Sequence, residues 1–297
     1  MDLVIKADRM PREGETLLGR DLRFIPGGKG ANQAVAAARL GAAVTLLGKA
    51  GEDYFGACLL ENLEREKVYT GYLERDNRGA TGTALVAVNR EGKNSILTAL
   101  GVNETVDGKY LERTVPAIEK SDIVLVQLGI PVETVDELIC MFKNRVPVIL
   151  DAGPIREKLP RFWQDATIVS PNESEAERLT GKKITNLSSA FACCQHMLDL
   201  GVKNVVLKLG ARGCIAATPE EARLISGHRV PVVDTTAAGD AFTAGLAFAY
   251  VKGRDLFQAA EFANYVGALA VTKYGAQPSL PTADEVARMI NQTEIGR

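Results

Sequence analysis

Two segments far apart in the chain contain residue types that phosphoryl transfer requires, and the more informative one is Asp234–Phe242, DTTAAGDAF. An apolar run precedes it and an apolar, helix-like segment, Ala241–Val251, follows, so a helix should begin within the motif. The helix start would consist of three small residues, Ala237, Ala238 and Gly239. The free backbone N–H groups and the positive dipole end of such a start bind anions, phosphate among them.

Asp240 follows these small residues and would lie beside a bound phosphoryl group. A carboxylate in that place can accept the proton of an attacking hydroxyl group, which predicts that Asp240 is a general base. Taken alone, the segment fits equally well a turn that caps a buried helix, with Asp240 as a solvated acid in the first turn.

The second segment is glycine-rich, Gly27–Asn32 with the sequence GGKGAN, and it precedes the apolar, helix-like run Ala34–Leu40. It is not a P-loop, because that motif needs Gly, four residues and then Gly-Lys-Ser/Thr, and it does not match the dinucleotide fingerprint either. Lys29 and Asn32 offer an ammonium and an amide group, which suit a polyol because each hydroxyl needs a fixed donor or acceptor. A solvated surface position is the alternative for Lys29.

Stretches typical of strands and of helices alternate from residue 43 onward. The predicted strands are Val44–Gly48, Ile123–Gln127, Val148–Asp151, Thr167–Ser170 and Asn204–Leu207. The predicted helices are Phe55–Arg65, Glu133–Phe142, one after Pro171 and Ser188–Leu200. This order predicts an α/β fold with a mostly parallel central sheet, helices on both of its faces and ligands at the carboxyl ends of its strands.

Two regions, Thr16–Ile25 and Tyr69–Ala99, break this alternation. Within the second, Thr81–Asn89 and Asn94–Thr98 flank Arg90–Lys93, which is typical of a β-hairpin. These short β segments would lie apart from the central sheet.

Composition limits the class of protein. The 297 residues are 46% hydrophobic and 24% charged, as in an ordinary globular protein, and a net charge of −2 gives no general attraction to nucleic acid or to acidic membranes. The sequence contains no apolar run of membrane-spanning length and no signal region at its start, so we expect a cytoplasmic protein without nucleic-acid or membrane partners. Five cysteines without metal-ligand spacing predict reduced thiols, and His196 and His228 match no catalytic motif.

Together, GGKGAN and DTTAAGD resemble the paired signatures of the ribokinase-like carbohydrate kinase family. Other matching segments follow in the family's order: EGET from Glu13, GEDYFG from Gly51, TGTA from Thr81, SPNESEAE from Ser170, KLGARG from Lys208 and KYGAQPSLP from Lys273. The resemblance implies a single domain over residues 1–297 with a three-layer α/β/α fold. It also implies a small β-sheet lid, formed by approximately residues 14–25 and 69–99, that covers the sugar and joins two chains into a homodimer.

The activity implied by this resemblance is ATP-dependent phosphorylation of the terminal primary hydroxyl of a pentose, first of all the 5-hydroxyl of D-ribose. A kinase of another sugar or nucleoside, such as deoxyribose or fructose, is the alternative within the same fold. A catalytically silent relative that binds sugar or nucleotide is the alternative from a different class.

The resemblance further implies roles for single residues. Sugar contacts are implied for Asp2, Gly28, Lys29, Asn32 and Asp240, and an anion hole for Ala237, Ala238 and Gly239. ATP contacts are implied for Asn172, Lys208, Leu209, Gly210, Ala211, Arg212, Gly213, Gly239 and Asn264. Glu175 would order Mg²⁺ through water, although Asn172 and Glu175 also fit a helix-start cap and the two roles can coexist. A monovalent cation, K⁺, would be held mostly by backbone carbonyls of Asp234, Thr236, Ala270, Lys273, Gly275 and Ser279.

Two features depart from the family pattern. Members begin with a complete central strand that runs into a Gly-Ser-Ile-Asn-like motif, whereas Met1–Ile5 matches only the last part of this pattern. We therefore expect residues ahead of Met1 in the natural protein, with a naturally short start as the alternative. Gly129, in Gln127-Leu128-Gly129, replaces a glutamate that touches the sugar in the family, so the preferred sugar stays open.

Overall fold

The structure is a computed structural model that describes residues 1–90, 94–154, 156, 157 and 159–295. Its strands are β1 (Asp2–Lys6), β2 (Arg20–Ile25), β3 (Gly48–Gly51), β4 (Leu73–Asp76), β5 (Thr83–Val88), β6 (Asn94–Ala99), β7 (Val124–Gln127), β8 (Val148–Asp151), β9 (Ile168–Val169), β10 (Val205–Lys208), β11 (Cys214–Ala217) and β12 (Ala222–Ile225). Its α-helices are α1 (Lys29–Arg39), α2 (Tyr54–Arg65), α3 (Gly108–Ile118), α4 (Val132–Phe142), α5 (Glu173–Thr180), α6 (Leu187–Asp199), α7 (Ala238–Val251), α8 (Leu256–Ala270) and α9 (Ala283–Ile295).

The central sheet has the strand order β12-β11-β10-β9-β8-β7. Strands β7 to β10 run parallel, and β11 and β12 continue the sheet as antiparallel neighbours. Strands β3 and β4 form a separate parallel pair. The strands predicted between Ile123 and Leu207 are therefore confirmed, with ends that shift by at most one residue.

Side chains of the central strands alternate between two apolar clusters. Ile149 packs with the apolar residues of α7 and α8, whereas Val148 and Leu150 pack with those of α4 and α6 on the opposite face. Both faces are covered by helices, which is why these strands are apolar at nearly every position. The predicted three-layer α/β/α arrangement is confirmed.

A second sheet has the order β2-β1-β5-β6, and we call it the lid sheet. Strand β1 runs antiparallel to β2 and parallel to β5, and β5 pairs with β6 in the predicted hairpin. Residues 91–93 of the hairpin turn lie outside the described residues. One face of the lid sheet is buried, because Val4 and Ile25 pack with Ala237, Tyr274 and Ala276 beside the start of α7.

The structure differs from the sequence prediction at three places around the lid. The predicted strand Val44–Gly48 is wrong in its bounds. Thr45 forms an isolated bridge to Tyr69, and the observed strand β3 begins at Gly48. Residues 44–47 have the side-chain alternation of a strand, because Leu46 and Leu47 pack into opposite apolar clusters. They do not form the continuous backbone hydrogen-bond ladder that defines a strand. Strand β4 falls within the second predicted lid range but pairs with β3, and β1 joins the lid sheet from outside both ranges.

None of the helices in the described part of the chain has the length and apolar content that crossing a membrane requires.

Candidate active site

The GGKGAN segment turns directly into α1. Gly28 precedes the helix with φ 95°, a left-handed backbone conformation that a side chain would strain. Helix α1 therefore begins at Lys29, and its first turn presents Lys29, Asn32 and Gln33 toward the start of α7. The solvated alternative for Lys29 does not hold, because its ammonium lies between two buried carboxylates.

The DTTAAGD segment turns into α7 as predicted, with Ala237 as the residue before the helix. Ala237 has φ 60° and ψ 7°, a left-handed conformation that is uncommon for a residue with a side chain and that costs free energy. Within this turn, Ala238 N–H donates a bond of 3.3 Å to Thr235 O. Backbone strain of this kind collects at functional sites.

Asp240 lies in the first turn of α7 and is 5% exposed, so the alternative of a solvated acid is wrong. Asn32 Nδ2 donates to its Oδ2 at 2.8 Å, and Gln33 Nε2 donates to its Oδ1 at 3.2 Å. Lys29 Nζ lies 3.3 Å from the same Oδ1. The carboxylate is therefore held in a fixed direction by groups from α1, as a general base must be.

Asn32 also provides an open acceptor. Its Oδ1 atom is buried and has no hydrogen-bond partner among the described residues. Because a buried polar atom without a partner is costly, such an atom marks a place where a ligand hydroxyl can donate.

Asp151, at the carboxyl end of β8, is a site residue that the sequence analysis missed. It is fully buried, and its Oδ2 accepts from Gln33 Nε2 at 2.8 Å and lies 3.1 Å from Lys29 Nζ. Its Oδ1 accepts from Lys208 Nζ at 3.3 Å. An acid at the end of an apolar strand of a parallel sheet was the available signal. Gln33, whose Oε1 accepts from Gln127 Nε2 at 2.5 Å, was missed as well.

The charges of this cluster shift the pKa values of its members. Burial by itself lowers the pKa of Lys29, but the carboxylates of Asp240 and Asp151 outweigh it, so that the pKa lies well above its ordinary value. Burial raises the pKa of the Asp151 carboxyl, but Lys208 and Lys29 outweigh it, and the net direction is downward. Both groups are therefore charged at neutral pH.

Asp2, on β1 of the lid sheet, brings a further carboxyl group to the site. Its carboxyl lies against the backbone of Gly27, where no side chain could fit. Burial raises the pKa of Asp2, the N-terminal ammonium lowers it, and the carboxylate of Asp240 raises it further. The site therefore holds two carboxyl groups, on Asp2 and Asp240, each of which can accept a hydrogen bond from a sugar hydroxyl.

Asn172 and Glu175 form a capping box at the start of α5. Asn172 Oδ1 accepts from Glu175 N at 2.9 Å, and Glu175 Oε2 accepts from Asn172 N at 2.8 Å. Burial raises the pKa of the Glu175 carboxyl, although the ammonium of Lys208 opposes this. The cap role is confirmed, and the second carboxylate oxygen of Glu175 lies against Gly153, next to Lys29.

The segment after β10 forms a tight turn on the far side of Lys208. Gly210 and Gly213 have φ 59° and 92°, which brings the backbone of Leu209–Gly213 close to residues 225–227. Within the turn, Arg212 forms an ion pair with Glu173 at the start of α5. Asn264 Nδ2 donates to Ile225 O at 3.1 Å, so Asn264 and the Leu209–Gly213 turn contact the same short segment.

Four of the residues predicted to hold a monovalent cation, Asp234, Thr236, Lys273 and Gly275, lie in two loops that Asp234 joins. Asp234 Oδ1 accepts from Thr236 N at 3.0 Å, and Asp234 Oδ2 accepts from Gly275 N at 2.9 Å. Lys273 directs its ammonium to Glu285 at 2.5 Å, away from Asp234. Ala270 ends α8 and Ser279 is buried in a short turn after these loops.

A family model described as pfkB family carbohydrate kinase matches residues 1–283. A ribokinase of Bacillus subtilis is 39% identical over 293 residues, which cover 98% of this chain and 96% of the relative. A deoxyribokinase of Salmonella typhi is 33% identical over 99% of this chain and 97% of its own length. The structure of Arabidopsis thaliana ribokinase complexed with ribose and ATP has a TM-score of 0.88 at 34% identity and covers 97% of this chain and 95% of its own.

Proposed function

The chain belongs to the pfkB family of carbohydrate kinases, and we propose that it transfers the γ-phosphoryl group of ATP to the 5-hydroxyl group of D-ribose. The resemblance drawn from the sequence is thereby confirmed. The observation that carries the proposal is the buried Asp240 carboxylate in the first turn of α7, held by Asn32 and Gln33. Similarity to ribokinases over nearly the whole chain, including one solved with ribose and ATP, supports the choice of sugar and of phosphoryl donor.

In this mechanism Asp240 accepts the proton of the 5-hydroxyl as the oxygen attacks the γ-phosphorus atom, while the bond from that atom to the β,γ-bridging oxygen breaks and ADP leaves. The N–H groups at the start of α7 and the helix dipole stabilise the charge that develops on the γ-phosphoryl oxygens. Lys29 fixes Asp240 from the sugar side, whereas Lys208 lies on the phosphate side. Coverage of the site by the lid sheet would exclude water, which competes as acceptor.

Mg²⁺ belongs to this proposal as the partner of the ATP phosphates. No three acidic, histidine or cysteine side chains in the described ranges lie close enough together to form a metal site. Mg²⁺ would then take most of its ligands from phosphate oxygens and water, and Glu175 would contact it only through water. When bound, Mg²⁺ would neutralise charge on the outer phosphates.

K⁺ would lie between the two loops that Asp234 joins. Its ligands would be mostly backbone carbonyl groups of Asp234, Thr236, Ala270, Lys273, Gly275 and Ser279. The side chains here support that role, because Asp234 is engaged with backbone N–H groups and Lys273 points to Glu285.

A homodimer through the lid sheet completes the proposal. The register places Leu3, Phe24, Leu85 and Leu97 side by side across the four strands, on the face that the other described residues leave open. Leu85 is 53% and Leu97 is 74% exposed, and contiguous apolar surface of this kind marks protein interfaces. We place the protein in the cytoplasm, which its five free cysteines support.

A coupled assay of ADP release with a panel of sugars tests the proposed function. D-ribose should give the highest kcat/KM, and phosphorus NMR of the product should show ribose 5-phosphate. The proposal would be contradicted if ADP release with ribose were no faster than ADP release without any sugar, when water is the acceptor.

One observation favours a second candidate, a kinase of 2-deoxyribose or of another sugar. A side chain at Gly129 would meet nothing within 4 Å, so the site has open space where the family carries a sugar-contacting glutamate. The deoxyribokinase relative shows that the alternative occurs at similar identity. A kcat/KM for 2-deoxyribose or fructose above that for ribose in the same panel would support it.

A further inference from the structure

Asp151 is the buried charged group of the site for which neither the motifs nor the proposed mechanism provides a role. We propose that Asp151 is a positioning residue: its carboxylate holds the ammonium of Lys208 at the start of α7, where that ammonium binds the phosphoryl group in transfer. This inference rests on the proposed function and deepens it.

The two lysines that contact Asp151 differ in their other partners. Lys29 Nζ lies within 4 Å of two carboxylates, 3.1 Å from Asp151 and 3.3 Å from Asp240. For Lys208, the ion pair within the described residues is with Asp151 alone, at 3.3 Å. Loss of the Asp151 charge therefore leaves Lys29 with a carboxylate in contact, on Asp240, whereas Lys208 keeps only the influence of Glu175, which lies beyond ion-pair distance.

The place that Lys208 occupies is unfavourable for a cation without compensation. Its Nζ atom lies 3.5 Å from Thr243 Oγ1, and a Cβ atom at Gly239 would lie 3.9 Å from it, so the ammonium is beside the first turn of α7. The positive end of the helix dipole repels a cation there. The side chain of Lys208 is 11% exposed, which reduces the compensation that water could give.

The Asp151 carboxylate supplies that compensation, because its two oxygens face opposite sides. Oδ1 accepts from Lys208, and Oδ2 accepts from Gln33 and pairs with Lys29, which are both on α1. Gln33 in turn donates to Asp240, so the acid that positions Lys208 is fixed by the same helix that fixes the general base. An incoming phosphoryl group then meets an ammonium already in place, which lowers the reorganisation that the transition state requires.

A double-mutant cycle tests the inference, with wild-type protein first assayed on D-ribose and ATP. Asp151→Asn keeps the shape of the side chain but removes its charge, and we expect kcat to fall at least about tenfold. Lys208→Gln should lower kcat further, by about 100-fold, since an oriented cation at the phosphoryl group is lost. In the Lys208→Gln background, Asp151→Asn should change kcat by less than about threefold, because residues that act through one another are not additive.

Two further readouts separate positioning from a merely structural role. In a Lys29→Gln background Asp151→Asn should keep its full effect on kcat, and the KM for sugar should change by less than about threefold. The affinity for β,γ-imido-ATP with Mg²⁺, measured by calorimetry, should fall less than kcat, because the interaction strengthens in the transition state.

Additive effects of Asp151→Asn and Lys208→Gln would overturn the inference, as would an affinity for β,γ-imido-ATP that falls as much as kcat. If Asp151→Asn alone does not fold, Lys208→Gln is compared with the double variant, in which an uncharged pair replaces the ion pair. Equal turnover of those two proteins supports the inference and a further tenfold loss overturns it. Wild-type protein that phosphorylates no sugar overturns the proposed function itself, a result distinct from an additive cycle in an active enzyme.

Discussion

The central sheet and the lid sheet bury their side chains differently. Ile149 and Val206 of the central sheet are 0% exposed, because helices cover both faces, whereas Leu85 and Leu97 of the lid sheet are 53% and 74% exposed. The central sheet and the helices packed on it supply most charged groups of the site, and the lid sheet brings the carboxyl group of Asp2. We therefore expect substitutions beside the central sheet to change catalysis, and substitutions on the open face of the lid sheet to change dimer formation.

The largest expected effect is on kcat, from a substitution on a helix that packs on the central sheet. Asp240→Asn should keep the fold and most of the ATP affinity but lower kcat by about 10² to 10⁴-fold, the range for loss of a general base. Steady-state kinetics and a thermal melt check both parts. Asp122→Asn, the same change at an exposed position, is the matched control. A variant that retains more than about a tenth of the wild-type kcat would show that Asp240 is not the base.

A charge on the open face of the lid should break assembly and leave chemistry intact. Leu97→Glu should raise the dimer dissociation constant at least about 100-fold, because an apolar contact is lost and a carboxylate is buried on both sides of a two-fold interface. Sedimentation velocity measures this, with Leu200→Glu at the end of α6 as control. A dimer that survives Leu97→Glu would place the interface elsewhere.

Potassium should have a smaller effect on kcat, again through residues that lie beside the central sheet. Replacing tetramethylammonium by K⁺ at equal ionic strength should raise kcat at least about threefold, because an ordered loop presents the N–H groups of α7 without reorganisation. Asp234→Ala should lose this activation, since Asp234 joins the two loops. Equal rates in both salts would remove the cation from the mechanism.

The smallest effect concerns stability against pH. Lys208 and Lys29 hold the pKa of Asp151 below its ordinary value despite burial, so the ionised carboxylate stabilises the fold above about pH 4. That stabilisation is lost as the pH falls through the lowered pKa. Between pH 5 and pH 3 the Tm of wild-type protein should therefore fall at least about 2 °C more than that of Asp151→Asn. Parallel curves for the two proteins would contradict this assignment of the charges.

The same comparison explains what could be predicted from the sequence. Strands covered on both faces are runs of apolar residues, so Val148–Asp151 was predicted with its observed bounds. Strand β1 was missed as part of the lid sheet, because its parallel partner β5 lies about 80 residues away and such pairing leaves no local signal.

The candidate site shows the same limit. Motifs that begin helices, GGKGAN and DTTAAGD, carried Lys29, Asn32 and Asp240 into the prediction. Asp151 and Gln33 were missed because their contact joins residues 118 positions apart and depends on how β8 and α1 pack. The position of Asp151 at the carboxyl end of an apolar strand was a signal, but that position alone does not separate a site residue from an ordinary strand end.

The most direct test of the account is a crystal structure of the protein with D-ribose, β,γ-imido-ATP and Mg²⁺. The account predicts the ribose 5-hydroxyl within hydrogen-bond distance of the Asp240 carboxylate, and the γ-phosphoryl group at the start of α7 beside Lys208. A sugar bound with another hydroxyl at Asp240, or a γ-phosphoryl group away from the first turn of α7, would contradict it.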